Sequence, residues 1–143
     1  MADLWLVDSS AWIFALRLHP FEPIKRRVDE LLSERRVLIT GMIELELLGG
    51  TRTETEFSDL KHLLQGLPRV DTREEDWESA ARMAFALRRM GYTVPFTDVL
   101  IARQALRAAA GIVHADRDFV VLCRHFKIEQ EDFSKAVARA NGG

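Results

Sequence analysis

Asp8, Asp98 and Asp116 each follow a short apolar stretch or open an apolar helix, and Glu44 and Glu46 stand just past another such stretch. One acid alone says little. Asp8 with Ser9 and Ser10 behind it is equally the signature of a helix cap. Several acids brought to one place say more, because the arrangement is costly. Two unit charges about 4 Å apart repel by roughly 4 kcal/mol at an effective dielectric of 20. Such a cluster needs protons or a cation to offset it. Oxygen-only donors suit hard cations such as Mg²⁺ or Mn²⁺. Two such ions about 3.5–4 Å apart can clamp the attacking and leaving oxygens of a phosphodiester.

Whether the acids converge depends on the elements that carry them. Leu4, Leu6 and Val7 read as a short buried strand ending at Asp8. A helix follows through Trp12, Ile13 and Leu16, and the prolines at 20 and 23 break it. Ile24, Val28, Leu31 and Leu32 recur at helical spacing, with Lys25, Arg26 and Arg27 on a solvated side. Val37-Leu38-Ile39 is a second strand, followed by a helix over Met42 to Leu48. Glu44 and Glu46 point in nearly opposite directions on it, so one of them can face a shared crevice.

A further helix spans Thr53 to Gly66, with Phe57, Leu60, Leu63 and Leu64 as its apolar face. Leu67 to Val70 is a short strand or link. A long helix over Arg73 to Met90 should bury Trp77, Ala81, Ala84 and Phe85, with Gly91 ending it. Thr97 is the expected cap of an apolar helix over Val99 to Ala110, with Asp98 in its first turn and Gly111 at its end. Ile112 to Ala115 is a strand, Val120 to Phe126 a short helix, and Ile128 starts an edge strand before a last helix over Phe133 to Ala140. Alternation of this kind predicts a mostly parallel sheet between helix layers, and ligands of such sheets bind beyond the carboxyl ends of the strands.

The chain has 143 residues, nearly half of them apolar, and a net charge of −2. That fits one domain over residues 1–143 and excludes a generic polyanion binder. Cys123 is the only cysteine, so neither an internal disulfide nor a cysteine-built zinc site can form. No apolar run approaches a membrane span, and the opening residues lack a basic region followed by an apolar one. A cytoplasmic location is expected.

Four segments together resemble the PIN-domain ribonucleases, and more narrowly the VapC-type toxins of type II toxin–antitoxin pairs. They are Val7-Asp8-Ser9-Ser10-Ala11-Trp12-Ile13, Ile39 to Gly50, Thr97-Asp98-Val99-Leu100-Ile101-Ala102 and Ile112 to Phe119. In the second, the acid followed by an apolar pair and a glycine is Glu46, not Glu44. The resemblance implies a PIN-like three-layer α/β/α sandwich and Mg²⁺- or Mn²⁺-dependent cleavage of RNA. It implies an acidic catalytic site of Asp8, Glu46, Asp98 and Asp116. Asp8, Asp98 and Asp116 would be its metal ligands, Asp8 and Asp98 directly, Asp116 and Glu46 directly or through water. Ser10 and Thr40 would support the acids, and Asp118 is a candidate fifth. A homodimer and a VapB-like antitoxin protein are the implied partners beside RNA.

Other chemistries fare worse. A phosphatase of the haloacid-dehalogenase type wants a second Asp two residues after the first, where this chain has Ser10. Ser9 and Ser10 lack a nucleophile elbow, and there is no phosphate-cradling glycine loop. The remaining alternatives are a PIN-like DNA or RNA-processing nuclease outside a toxin–antitoxin pair, and a catalytically silent PIN-like binding module. His114 is expected as a hydrogen-bonded strand histidine, and Trp5, Trp12 and Trp77 as packing groups.

Overall fold

The structure is a computed structural model, and it describes residues 2–142. In chain order the elements are β1 (Trp5–Val7), α1 (Ser9–Leu16), α2 (Glu22–Ser33), β2 (Val37–Thr40), α3 (Gly41–Gly49), α4 (Glu54–Gln65), β3 (Arg69–Val70), α5 (Glu74–Arg89), α6 (Phe96–Ala108), β4 (Gly111–His114), α7 (Arg117–Phe126), β5 (Gln130–Asp132) and α8 (Ser134–Gly142). The strands form one parallel sheet in the order β3-β2-β1-β4-β5. Every residue of β1, β2 and β4 is buried, which requires cover on both faces. The helices supply it in two sets. α1 packs on α2 and α3, with α4 beside α3, while α6 packs on α5 and α7. This is the expected α/β/α sandwich. Among the described residues no helix is long and apolar enough to cross a membrane.

β1 lies at the centre, paired with β2 on one side and β4 on the other. Trp5 stands opposite Gly111 in that register. A Cβ at position 111 would come within 2.5 Å of the Trp5 ring. Glycine is thus required there by close approach and does not end α6. That helix instead ends through Ala109, an alanine in the left-handed region at φ 53°. Gly91 does follow α5 as expected, at φ 92°.

Three sequence expectations shift in the structure. α6 begins at Phe96, with Pro95 as its cap residue and Thr97 exposed inside the first turn. α4 buries only Leu64 fully, while Phe57 and Leu63 stay largely exposed. The largest change is in α5. Its buried stripe is Asp76, Ala80, Met83 and Leu87, and Trp77 and Phe85 face outward.

The α5 register follows from a buried ion cluster. Asp76 is fully buried and accepts from Arg103 Nε at 3.0 Å, Arg107 Nε at 3.0 Å and the Arg73 backbone N–H at 2.9 Å. Arg103 and Arg107 lie four apart on α6, hence on one face. Burial works against the Asp76 charge, but the two arginines and the Arg73 amide hold its carboxyl down at about 2. Gln104 adds a bond to the Asp71 carbonyl at 3.0 Å. This cluster clamps α5 to the helix that bears Asp98.

Asp76→Asn is expected to cost about 3 kcal/mol of unfolding free energy, since removing one member of a buried ion cluster strands the others. Because the folded pKa is depressed, the Asp76 contribution is full above the ordinary carboxylate range and is lost as pH falls through about 2. Urea unfolding at neutral and acid pH reads both effects. An Asn variant as stable as the parent at neutral pH would contradict the clamp.

Candidate active site

The chain leaves β1 for β2 on one side, and β4 later takes the place on β1's other side. The crevice beyond the carboxyl end of β1 is therefore the switch point of the sheet, where open α/β folds bind ligands. Asp8 stands there, directly after β1. Its two carboxylate oxygens differ in their surroundings. Its Oδ2 caps α1 by accepting from the Ser10 backbone N–H at 3.0 Å, while its Oδ1 is buried without a hydrogen-bond partner.

The neighbouring strands deliver the other acids. Asp116 caps α7 just past β4, accepting from the Asp118 N–H at 2.9 Å. α7 thus starts at Arg117, earlier than its apolar residues suggest, and its first turn presents Asp118 to the same crevice. Asp98 lies in the first turn of α6 and is almost wholly buried. Asp98, Asp116 and Asp118 form the tightest group, with carboxylate oxygens within 4.8 Å of one another. Asp8 and Glu46 complete the surround, since both act on Asp98 electrostatically. Glu44 points elsewhere and pairs with Arg69, as the helical geometry requires.

Short polar links hold these acids in register. Ser10 Oγ accepts from the Ala115 N–H at 3.0 Å and so ties the turn after β1 to the turn after β4. Ser9 Oγ donates to Glu46 Oε1 at 3.4 Å. Thr40 is fully buried and accepts from the Ile43 N–H at 3.2 Å, so it starts α3. His114 is buried on β4 against Phe119. Its Nδ1 accepts from the Asp116 N–H at 3.2 Å, which leaves the Nε2 proton for Gln130 Oε1 at 2.8 Å. It orients the Asp116 turn and offers no nitrogen to the crevice. Asp118, the candidate fifth acid, lies with Asp98 and Asp116, and the sequence reading overlooked Asp76, Arg103 and Arg107. The spacing of the two arginines was the available signal.

The electrostatics follow from burial and crowding. Burial, then the charges of Asp8, Asp116, Glu46 and Asp118, push the Asp98 carboxyl up to about 8. Asp8 is raised mainly by burial, against opposing hydrogen bonds from Ser10 and Ser9. Burial and then Asp8 raise Glu46, and burial and then Asp116 raise Asp118. An all-oxygen donor set, an unpartnered buried oxygen on Asp8 and carboxyls that resist joint ionisation together fit a hard divalent cation.

A parallel sandwich with an acidic crevice at its switch point defines a class of hydrolases built on an α/β fold. The sequence pattern of the PIN domain matches residues 5–124, and the chain belongs to that family. It is 35% identical over 132 residues to the VapC ribonuclease Mb1587 of Mycobacterium bovis and to ribonuclease VapC11 of Mycobacterium tuberculosis, covering 90% of this chain and 98% of each relative. Its fold matches that of VapBC2 from Rickettsia felis, solved bound to a promoter DNA fragment, with a TM-score of 0.74, 19% identity and coverage of 90% and 98%.

The raised Asp98 carboxyl makes a signed prediction for the chain in chelator. Unfolded, Asp98 releases its proton near the ordinary aspartate value of 3.8; folded, it keeps the proton up to about pH 8. The folded chain then holds more protons between those values, so its stability falls as pH rises through that window. Asp98→Asn should flatten that fall, as read by Tm in EDTA at about pH 5 and about pH 8. Equal falls in both proteins would show that Asp98 is ionised throughout.

Proposed function

We propose that this chain is an endoribonuclease toxin that hydrolyses RNA phosphodiester bonds at Asp8, Glu46, Asp98 and Asp116 with Mg²⁺ or Mn²⁺. A VapB-like antitoxin protein restrains it, and it works as a homodimer. The observation that supports the reading best is the approach of the Asp98, Asp116 and Asp118 carboxylates to within 4.8 Å of one another, with Asp8 and Glu46 near enough to act on Asp98. The ribonuclease names of its relatives, across nearly their whole length, support the choice of RNA.

Asp8, Asp98 and Asp116 would hold the cation, with Asp118 beside them. The chemistry the cation supplies is charge compensation and a water whose pKa is brought toward neutrality. The protein's own part is to fix and time the carboxylates. Ser10 and its N–H hold Asp8 against the turn that bears Asp116. The Asp98 carboxyl keeps a proton near neutral pH while the cluster is uncompensated and gives it up when positive charge arrives. Glu46 is the exposed acid of the set and stands at the mouth, where its carboxylate can take a proton from the attacking water. Ile13, Leu16 and Leu45 are exposed on α1 and α3, which pack together, and give an antitoxin segment an apolar surface.

Expression in a bacterial host should arrest growth with discrete RNA fragments, relieved by the cognate antitoxin. Asp8→Asn should do neither, and its cleavage rate in vitro should fall by at least about 100-fold. Arrest by both forms without RNA cleavage would sink the nuclease reading. Ser10→Ala leaves every acid in place but frees the link to Ala115, and should weaken Mn²⁺ binding by roughly 10-fold, measured calorimetrically.

A further inference from the structure

α7 leads away from the acids, and its outward face is basic. Phe119, Leu122 and Cys123 bury one side of it. Arg117, Val121 and Arg124 recur at i, i+4 and i+7 on the opposite side, and both arginines are exposed. Arg117 is the first residue of the helix and stands between Asp116 and Asp118 in the chain. It does not offset them, since burial and then Asp116 still raise the Asp118 carboxyl. Among the described residues neither Arg117 nor Arg124 has an ion-pair partner. Uncommitted cations beside crowded carboxylates suit a polyanion that must be brought to those carboxylates.

A second feature lies on one flank of the same helix. His125 comes seven positions after Asp118, so the two share that flank, about 10 Å apart at 1.5 Å rise per residue. Asp118 joins the acid group at one end. At the other, the exposed His125 ring meets the Tyr92 ring with centroids 4.9 Å apart. Tyr92 is 41% exposed and belongs to the segment between α5 and α6 that leads to Asp98. No acid occurs from Ser79 to Thr97 or from Phe119 to Ile128. Basic residues and open rings without intervening acids are what a single nucleic-acid strand requires of a surface.

We propose that the outward face of α7 is the track of an unpaired stretch of RNA, with Arg117 and Arg124 on its phosphates and a base stacked on the Tyr92–His125 rings. The proposal rests on the reading of the chain as a ribonuclease and names the surface and the form of RNA. The two arginines lie seven residues and so about 10 Å apart, a span of about three nucleotides at about 3.4 Å each. Arginine suits the phosphates because its planar fork can take two oxygens at once. The rings suit an unpaired base, whose faces are free to stack. Such a stack accepts any base, so the track sets the strand's register on the acids and not its sequence.

Fluorescence anisotropy of a fluorescein-labelled, unstructured single-stranded RNA, with the purified full chain in EDTA, tests this without cleavage. Arg117→Ala and Arg124→Ala should each weaken binding by roughly fivefold and lower the slope of log K against log salt by about 0.7, as loss of one phosphate contact does. Arg124→Lys should keep the slope. Tyr92→Ala should weaken binding by at least about fivefold with the slope unchanged, and Tyr92→Phe should bind as the parent does. Arg26→Ala, at an exposed position of α2 in the other helix layer, should change neither. The same RNA annealed to its complement should not respond to Tyr92→Ala. Equal affinity and slope in the parent and all variants overturn the track, as does a parent that binds no single-stranded RNA. The ribonuclease reading stands or falls separately, on cleavage in Mn²⁺ by the parent and its loss in Asp8→Asn. In that assay Arg124→Ala should raise KM by about fivefold with a smaller effect on kcat, and a fall confined to kcat contradicts a binding role.

Discussion

Five carboxylates around one crevice repel one another, and the fold must hold them there. The means are local. Asp8 and Asp116 each cap the helix that follows them, so each acid's position is fixed by the start of its own helix. The Ser10 hydroxyl joins the two turns. The pairing of β1 with β4, Val7 level with Val113, sets those turns side by side. The cluster is therefore a product of strand register, and a slip of one residue would scatter it. Its cost is carried by the fully buried strands beneath, where Leu6, Val7, Ile39, Ile112 and Val113 leave no freedom to relax.

Much of this was legible in the sequence because it is written in local patterns. Short apolar runs closed by an acid gave the strands and the crevice together. The two-residue offset of Glu44 and Glu46 separated them in the structure as helical geometry requires. What stayed hidden needs partners distant in the chain. Asp118 joins the tight carboxylate group only because α7 starts three residues earlier than its apolar residues suggest. Gly111 reads as a helix stop until Trp5 is seen opposite it. Thr40 also caps α3 through its bond to Ile43, a role set by the turn that follows β2.

Asp98 differs from the other acids in how it is delivered. It follows no strand, and its position depends on where α6 lies. α6 is fixed largely by α5, through Asp76 with Arg103 and Arg107. Two ion clusters of opposite design thus share one helix. At its start Asp98 is buried and crowded by like charge, and its carboxyl is raised. Further along, the two arginines surround Asp76 and lower it. The second holds the first in place, since burying Asp76 among cations is favourable only in one α5–α6 register.

That register also decides what α5 shows to the outside. By apolar spacing alone, Trp77, Ala81, Ala84 and Phe85 make the better buried stripe. Successive residues on a helix are about 100° apart, so burying Asp76 turns Trp77 away from the core. An aspartate displacing a tryptophan from the interior is explicable only if its charge is fully compensated, and the arginines of α6 do that. The outward aromatic stripe is then a consequence of the clamp and not a failure of packing. The same residue that secures the helix beneath Asp98 turns Trp77 and Phe85 to the outside. Site geometry and the outward aromatic stripe are set by one buried contact, so a change at Asp76 would disturb both together.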